Sequence, residues 1–331
     1  MRVTAVPSGG VMKAKALLTA AVCLVTGVAA LGQAPVVQGI PGVVAAGARF
    51  TQVYQTVGNN VDGIVAAADG SLLASQEDNN TVLKLDKDDR ASIFLAGVAV
   101  GSLSIDRQGR LFAVRRMPQE GTPAIIQETA PKTAGVSMLL PQFKMWETLE
   151  NGTQMMGRPS DLVADGAGGA YFTQRPGVFY ASPSGTIARL ADNISANGII
   201  LSEDDKRLYV TNETSIVVFD VQAPGKLTNQ REFTKLAAGG NADGLAVDTA
   251  GNLYVAAAPG VQIYTPQGKY LGVIPTPTAG RPTGQAFAGA DRKTLYVVVQ
   301  ATTDGNGRPM AGGRTVYRIP MLAQGLPGRS K

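Results

Sequence analysis

The sequence contains no histidine and a single cysteine, Cys23, among its 331 residues. Without histidine, the chain can form neither a Ser-His-Asp triad nor a Cys-His dyad, and it has no histidine metal ligand. With one cysteine it can form neither an internal disulfide nor a CxxC motif nor a cysteine zinc site. Any catalysis must therefore use carboxylates, amides, hydroxyls, Lys, Arg or a hard metal ion.

The N-terminal residues follow the pattern of a secretory signal peptide. Two lysines precede an uncharged apolar run, residues 16–31, and small residues follow at Gly32 and Ala34. The run is shorter than the roughly 20 residues that a membrane span needs. We predict a signal peptide over residues 1–34, export to the periplasm or medium without a membrane anchor, and a flexible lead-in over 35–48. An uncleaved anchor and a buried N-terminal helix are the alternatives.

The charge balance gives little support to nucleic-acid binding. Removal of residues 1–34 leaves 27 basic residues against 25 acidic ones. No basic cluster with interleaved aromatic residues occurs, and aromatic residues make up only 6% of the chain. We therefore predict no nucleic-acid partner, and we expect a monomer.

Six similar units occupy most of the remaining chain. Each combines a small or polar residue, an apolar stretch, an Asp/Gly turn and a strand often written Leu-Tyr-Val, as in ADGLAVDTAGNLYVAA from Ala242. The aligned small or polar residue near the start of each unit is its anchor, and successive anchors lie 37 to 59 residues apart. This spacing is near the roughly 40–50 residues of a four-stranded propeller blade. The anchors are Asp62, Gly101, Ser160, Asn197, Asp243 and Thr283.

Short β-rich segments bounded by turn residues supply the outer strands of these units. The predicted third strands are residues 81–86, 177–182, 216–221, 261–266 and 315–320. The predicted fourth strands are residues 92–97, 137–143, 187–192, 233–239 and 270–275. The last unit lacks a fourth strand, which residues 49–57 can supply, and this would close the ring. The sequence thus predicts an all-β, six-bladed β-propeller over 49–320, followed by a C-terminal tail over 321–331.

The second unit is longer than the others. We predict that its excess, residues 141–158 with Trp146, forms a loop over one face, either as a lid or as an inert insertion. Arg115 and Arg116 are interpreted as lining a solvated edge, with substrate binding as the alternative. Asp161 is interpreted as a strand-edge carboxylate, with catalysis as the alternative.

The anchors bring side-chain oxygen toward one axis, because the first strand of each propeller blade starts beside the central channel. Asp62, Ser160, Asn197 and Asp243 offer such oxygen, and Thr283 is a fifth candidate. Carboxylate, amide and hydroxyl oxygens suit a hard cation, best Ca²⁺, with Mn²⁺, Mg²⁺ and Zn²⁺ as alternatives. Asp-Gly and Asn-Gly are also hairpin-turn signals. Each unit, however, has a second turn about eight residues later that already joins its two strands.

Four segments resemble elements of the gluconolactonase / senescence-marker-protein (regucalcin) family of calcium-dependent propellers. They are RPSDLVADGAGGAYFT, ANGIILSEDDKRLYV, NADGLAVDTAGNLYVA and GRPTGQAFAGADRKTLYV. The resemblance extends over nearly all of residues 50–320. It implies metal ligands at Asp62, Asn197 and Asp243, with Ser160 where the family has an asparagine that contacts metal or substrate.

The resemblance also implies a function: a secreted, metal-dependent lactonase or esterase-like hydrolase of a small sugar-type or hydroxy-acid lactone. Asp243 is then the catalytic residue that positions or deprotonates water, and Arg158, Ser160 and Asn197 bind the substrate. Two residues depart from the family pattern, Asp62 for glutamate and Ser160 for asparagine. These departures favour the alternative, a non-catalytic propeller that binds a ligand or a protein.

Overall fold

The computed structural model describes residues 35–116, 135–142, 144–147, 149–150, 153–154, 158–278, 280–300 and 313–327. Their regular secondary structure consists of 26 β-strands. No helix long and apolar enough to cross a bilayer occurs among them. The predicted signal peptide lies outside the described residues and stays a prediction.

Six antiparallel four-stranded sheets follow one another along the chain, and each is one blade. Blade 1 contains β2 (Asn60–Ala66), β3 (Leu72–Gln76), β4 (Thr81–Leu85) and β5 (Ala91–Ala96). Blade 2 contains β6 (Leu103–Ile105), β7 (Leu111–Arg115), β8 (Gly135–Leu140) and β9 (Lys144–Glu147). Blade 3 contains β12 (Leu162–Ala164), β13 (Ala170–Gln174), β14 (Gly177–Ala181) and β15 (Ile187–Ala191).

The remaining blades have the same order. Blade 4 contains β16 (Ala196–Leu201), β17 (Arg207–Asn212), β18 (Ser215–Ala223) and β19 (Lys226–Lys235). Blade 5 contains β20 (Leu245–Val247), β21 (Leu253–Ala257), β22 (Gly260–Tyr264) and β23 (Tyr270–Pro275). Blade 6 contains β24 (Arg281–Ala288), β25 (Thr294–Gln300), β26 (Arg314–Pro320) and, as its outer strand, β1 (Thr51–Thr56).

The innermost strands meet in a closed ring around the channel. Each first strand contacts the first strand of the next blade, and β24 of blade 6 contacts β2 of blade 1. The ring is completed by β1, which pairs antiparallel with β26 from Thr51 opposite Arg318 to Thr56 opposite Arg314. The predicted six-bladed propeller, closed by an N-terminal strand, is confirmed.

Six apolar clusters hold the ring together, one between each pair of neighbouring blades. The second strands are the clearest case, because β7, β13 and β21 are buried at every residue. These strands have a blade on each side, so both of their faces are apolar. Burial of apolar surface stabilises such sheets by roughly 25 cal/mol per Å².

The turn between the first and second strands of each blade lies where the sequence predicts it. In all six turns one residue has a left-handed φ, which glycine adopts most readily. These residues are Gly70, Gly109, Gly168, Asp205, Gly251 and Arg292. The anchors are therefore not needed to form these hairpins.

Blade 2 differs from the prediction. Of residues 137–143, predicted as its fourth strand, 137–140 belong instead to its third strand, β8, which pairs with β7. The fourth strand is β9, so Trp146 belongs to a strand and not to a loop. Among the described residues, the short hairpin of β10 (Leu149–Glu150) and β11 (Thr153–Gln154) follows. The error arose because residues 117–134, outside the described ranges, separate the second and third strands, whereas a short turn joins them in blades 1, 3, 4 and 5.

Residues 35–48, expected to be a flexible lead-in, pack against the interface of blades 5 and 6. Val37, Ile40 and Val43 are buried in its apolar cluster. The carbonyl oxygen of Val43 accepts a hydrogen bond of 2.9 Å from the backbone N–H of Leu322. The lead-in is thereby joined to the chain that follows β26.

Candidate active site

The predicted site residues line one cavity at the channel. This channel cavity has a volume of about 280 Å³. Its position follows from the fold, because the anchors begin the inner strands and the inner strands surround the axis. The cavity-lining residues predicted from the sequence are Asp62, Arg158, Ser160, Asn197, Asp243 and Thr283.

Asp62 lies between two arginines. Arg116 donates from Nη1 to Oδ2 of Asp62, and Arg314 donates from Nη1 to Oδ1 over 2.6 Å. Burial opposes ionisation of Asp62, but the charges of the two arginines and their hydrogen bonds outweigh it and hold its pKa well below the usual value. Asp62 is thus a carboxylate with both oxygens in ion pairs.

The guanidinium of Arg116 is fixed by four oxygen acceptors. Besides Asp62, its Nη1 reaches Oε2 of Glu77 at 3.1 Å. Its Nε donates to the carbonyl oxygen of Pro159 over 2.8 Å, and its Nη2 donates to the carbonyl oxygen of Ser160. The head group therefore joins two carboxylates of blade 1 to the backbone that leads into blade 3.

The position of Arg116 corrects the sequence interpretation. Arg115 and Arg116 were expected at a solvated edge, but each is only 7% exposed. The anchor of blade 2 explains the difference. Gly101 has no side chain, and a Cβ added there would lie 2.5 Å from Cζ of Arg116. The guanidinium occupies the space where the other blades carry an anchor side chain.

Glu77 is a site residue that the sequence analysis missed. It receives hydrogen bonds from Arg116, from Nη2 of Arg158 at 3.2 Å and from Nδ2 of Asn59 at 2.9 Å. Burial raises its pKa, against the opposing charges of these arginines. A signal was present in the repeats: Glu77 follows β3 as Arg116 follows β7, each 15 residues after its anchor.

Asp243 has different surroundings from Asp62. Asn197 donates from Nδ2 to its Oδ1 over 2.7 Å, and Nη2 of Arg281 lies 3.0 Å from its Oδ2. Burial raises the pKa of Asp243 to about 6, against the attraction of Arg281. A carboxylate with such a pKa is ionised at neutral pH and basic enough to accept a proton.

Two further arginines of the cavity, Arg281 and Arg314, were also missed. Arg281 belongs to the sequence Gly-Arg-Pro-Thr at 280–283, which matches the Gly-Arg-Pro-Ser of 157–160 that contains Arg158. The repetition was therefore a usable signal for Arg281. Arg314 begins β26, and its sequence context gives no comparable signal.

Asp161 is a structural residue. Its Oδ1 accepts hydrogen bonds from the hydroxyl of Ser102 and from the backbone N–H of Leu162. Its Oδ2 accepts one from the backbone N–H of Ile199 over 3.2 Å. This carboxylate connects blades 2, 3 and 4, in agreement with its interpretation as a strand-edge residue.

Three residues of blade 6 contain polar side-chain atoms that no described residue satisfies. They are Oγ1 of Thr283, Oε1 of Gln285 and Nε of Arg314, all buried. All three residues line the cavity. Buried polar atoms normally have a hydrogen-bond partner, so these three are exceptions behind the cavity wall.

The donor set at Asp62 does not fit the divalent cation that the family resemblance implies. Both oxygens of Asp62 are bound to guanidinium groups, and a cation there would lie beside two positive charges. Within the described ranges, no three carboxylate or thiol groups converge as a metal site would require. Ca²⁺ usually takes about six to eight oxygen ligands. The cavity therefore contains a carboxylate that can accept a proton, Asp243, and fixed arginine cations, but, among the described residues, no group of ligands arranged for a metal ion.

Comparison with known proteins gives the family. The family described as "SMP-30/Gluconolactonase/LRE-like region" matches residues 134–301. A gluconolactonase of Zymomonas mobilis is 28% identical over 206 residues, which cover 54% of this chain and 55% of that protein. Lactonase drp35 of Staphylococcus aureus is 30% identical over 191 residues, 50% of this chain and 56% of that protein. The chain thus spans about half the length of the curated relatives it matches.

Solved structures show the same fold. A gluconolactonase from Xanthomonas campestris aligns with a TM-score of 0.63 at 22% identity, over 87% of this chain and 94% of that one. Regucalcin from Agrobacterium tumefaciens, described as a calcium-binding protein, aligns with a TM-score of 0.60 at 16% identity, over 82% and 93%. Because the family region covers half of its residues, the chain belongs to the SMP-30/gluconolactonase/LRE-like family.

Proposed function

We propose that the protein hydrolyses a small lactone in the channel cavity, with Asp243 as the catalytic residue. The observation that supports this best is the placement of Asp243, a largely buried carboxylate on the wall of a cavity that suits a small molecule. Relatives named gluconolactonase and lactonase support the type of reaction. A sugar-type or hydroxy-acid lactone is the class of substrate that we propose.

In this reaction Asp243 acts as a general base. It accepts one proton from a water molecule while the water oxygen attacks the carbonyl carbon of the lactone. The bond between that carbon and the ring oxygen then breaks. The ring oxygen receives the proton held by Asp243, and the product is the open-chain hydroxy acid. The raised pKa of Asp243, about 6, makes the carboxylate a better base than an ordinary aspartate.

We assign Arg281 to stabilise the negative charge that forms on the carbonyl oxygen. The guanidinium of Arg281 lies beside Asp243, and its side chain is 45% exposed, so it is accessible to a substrate. Such fixed donors stabilise a transition state without reorganisation. The predicted substrate-binding residues on the same cavity are Arg158, Ser160 and Asn197.

The family neighbours suggest a divalent cation, since regucalcin is described as calcium-binding. The sequence predicted Ca²⁺, or Mn²⁺, Mg²⁺ or Zn²⁺, with Asp62, Ser160, Asn197 and Asp243 as its ligands. The two ion pairs of Asp62 disfavour this assignment, and the proposal does not retain it. Because Asp62 is occupied by arginines, no step of the proposed reaction is assigned to an ion.

Export is the second part of the proposal. Residues 1–34 have the basic start, apolar run and small-residue exit of a signal peptide. The chain would then work in the periplasm or outside the cell, where its lack of disulfides is no obstacle. Mass spectrometry of the N-terminus of the protein recovered outside the cytoplasm tests this, and a mature chain that retains Lys13 would contradict it.

The catalytic role is tested by the variant Asp243→Asn with gluconolactone as substrate and proton release as the readout. We expect a loss of about 10²-fold or more, the usual contribution of a positioned acid–base group. The matched control is Asp205→Asn in the hairpin turn of blade 4, where asparagine adopts the same left-handed φ. Equal rates for the two variants would refute the assignment of Asp243.

A non-catalytic binding propeller is the second candidate. The occupation of Asp62 by two arginines favours it, because the residue is then unavailable to a substrate or an ion. The same assay separates the candidates. A protein that binds gluconolactone and related lactones without hydrolysing any of them is a binding propeller.

A further inference from the structure

We infer that the guanidinium of Arg116 is the resident cation of the channel and replaces, at Asp62, the divalent ion implied by the family. The inference concerns cation binding and is independent of the proposed reaction. Three features support it: the bonds that hold Arg116, the space that receives it, and the second arginine on Asp62.

The bonds fix the guanidinium in place. Asp62 and Glu77 are two carboxylates of one blade, and Arg116 from the next blade bridges them. The carbonyl oxygens of Pro159 and Ser160 bind its other nitrogens. Every oxygen around the head group is the kind of donor that a hard cation uses, so the arginine takes the acceptors that an ion would need.

The space for the guanidinium depends on Gly101. A Cβ at this position would lie 2.5 Å from Cζ, 2.7 Å from Nη1 and 2.8 Å from Nε of Arg116. Any anchor side chain in blade 2 would therefore exclude the observed head-group position. Gly101, the anchor without a side chain, thus leaves the space that the guanidinium of Arg116 fills.

Arg314 adds a second barrier to an ion. It holds the oxygen of Asp62 that Arg116 does not, over 2.6 Å. A divalent ion at Asp62 would have to displace both arginines or lie next to them against charge repulsion. Two further expected ligands, Asn197 and Asp243, bind each other, and Arg281 adds another positive charge beside them.

The first experiment measures cation binding by the unmodified protein. After dialysis against a chelator, the mature chain is titrated calorimetrically with CaCl₂ and then with MnCl₂, and its Tm is recorded with each salt. We expect no saturable binding and no rise in Tm beyond that of a NaCl solution of equal ionic strength. One equivalent of ion bound by the unmodified protein and lost in Asp62→Asn would overturn the inference.

The second experiment removes both arginines from Asp62. In the double variant Arg116→Gln/Arg314→Gln the carboxylate of Asp62 loses both guanidinium partners, and we expect Ca²⁺ to bind with a rise in Tm that the unmodified protein lacks. The matched control is Arg231→Gln in the outer strand of blade 4, which removes an arginine from Asp220 of the neighbouring third strand, away from the channel, and should gain no ion. A folded double variant that binds no ion would refute the replacement. Should that variant not fold, the unmodified protein and Asp62→Asn decide the question.

These outcomes are separate from the proposed lactonase activity. The rate of hydrolysis by Asp243→Asn tests whether Asp243 is the general base. The titrations detect a bound ion whether or not any substrate is hydrolysed. A protein that binds no cation and hydrolyses no lactone would leave the inference on Arg116 standing and remove the proposed function.

Discussion

Replacement of Gly101 by alanine tests how firmly the channel holds Arg116. The new Cβ would come within 2.5 Å of Cζ, so the guanidinium must move and its bonds to Asp62 and Glu77 must lengthen. Loss of one partner from a buried ion pair costs about 3–5 kcal/mol. Because Arg314 stays on Asp62, we expect a smaller loss of unfolding free energy, about 2–4 kcal/mol. At roughly 2 °C per kcal/mol for a chain of this size, the Tm should fall by about 4–8 °C.

The assay is thermal unfolding followed by circular dichroism or calorimetry, with Gly166→Ala as the matched control. Gly166 is exposed, and a Cβ there would meet no atom within 4 Å. Its substitution should change the unfolding free energy by no more than about 0.5 kcal/mol. If Gly101→Ala were as stable as this control, Arg116 would not be fixed in the channel, and the argument for a resident guanidinium would fail.

Three further predictions concern pH and buried hydrogen bonds. Since the pKa of Asp243 is raised to about 6, its base form is lost below that pH, and hydrolysis should fall about tenfold per pH unit there; a rate unchanged from neutral to acidic pH would contradict its role. The pKa of Asp62 lies below its ordinary value of 3.8, so the contribution of Asp62 to stability is present above pH 3.8 and is lost as the pH falls below it. In urea unfolding at acid pH, the free energy of unfolding of Asp62→Asn should therefore decline less than that of the unmodified protein. The hydroxyl of Tyr180 donates to Oδ2 of Asp165 over 2.5 Å in a buried site, and Tyr180→Phe should cost about 1.5–3 kcal/mol in urea unfolding; a cost near zero would show that this bond adds nothing.

The blade architecture could be predicted because its determinants are local. Each hairpin needs one left-handed residue, and Asp-Gly or a similar pair marks it in the sequence, as at Gly70 and Gly251. Each anchor precedes or begins an inner strand, so the convergence of Asp62, Asn197 and Asp243 on one cavity followed from the repeat alone. The order of strands in blade 2 was wrong because a long connection interrupts the pattern there.

The partners of the anchors could not be predicted in the same way. Arg116 lies 54 residues from Asp62, and its direction depends on the free space over Gly101. A long side chain can point to a solvated edge or to the channel from the same backbone position, and the repeat pattern does not distinguish the two. Arg281 shows the opposite case, because its Gly-Arg-Pro-Thr context copies that of Arg158 and could have been recognised.

The pairing of β1 with β26 links completion of the cavity to completion of the chain. Arg314 begins β26 and reaches Asp62 across 252 residues of sequence. Until β26 has been synthesised, blade 6 lacks the strand on which β1 docks, and Asp62 lacks one of its two cations. Contacts so distant in sequence form late and slow folding. A partly synthesised chain therefore has no finished cavity, and the cavity can bind a ligand only after the whole ring has formed.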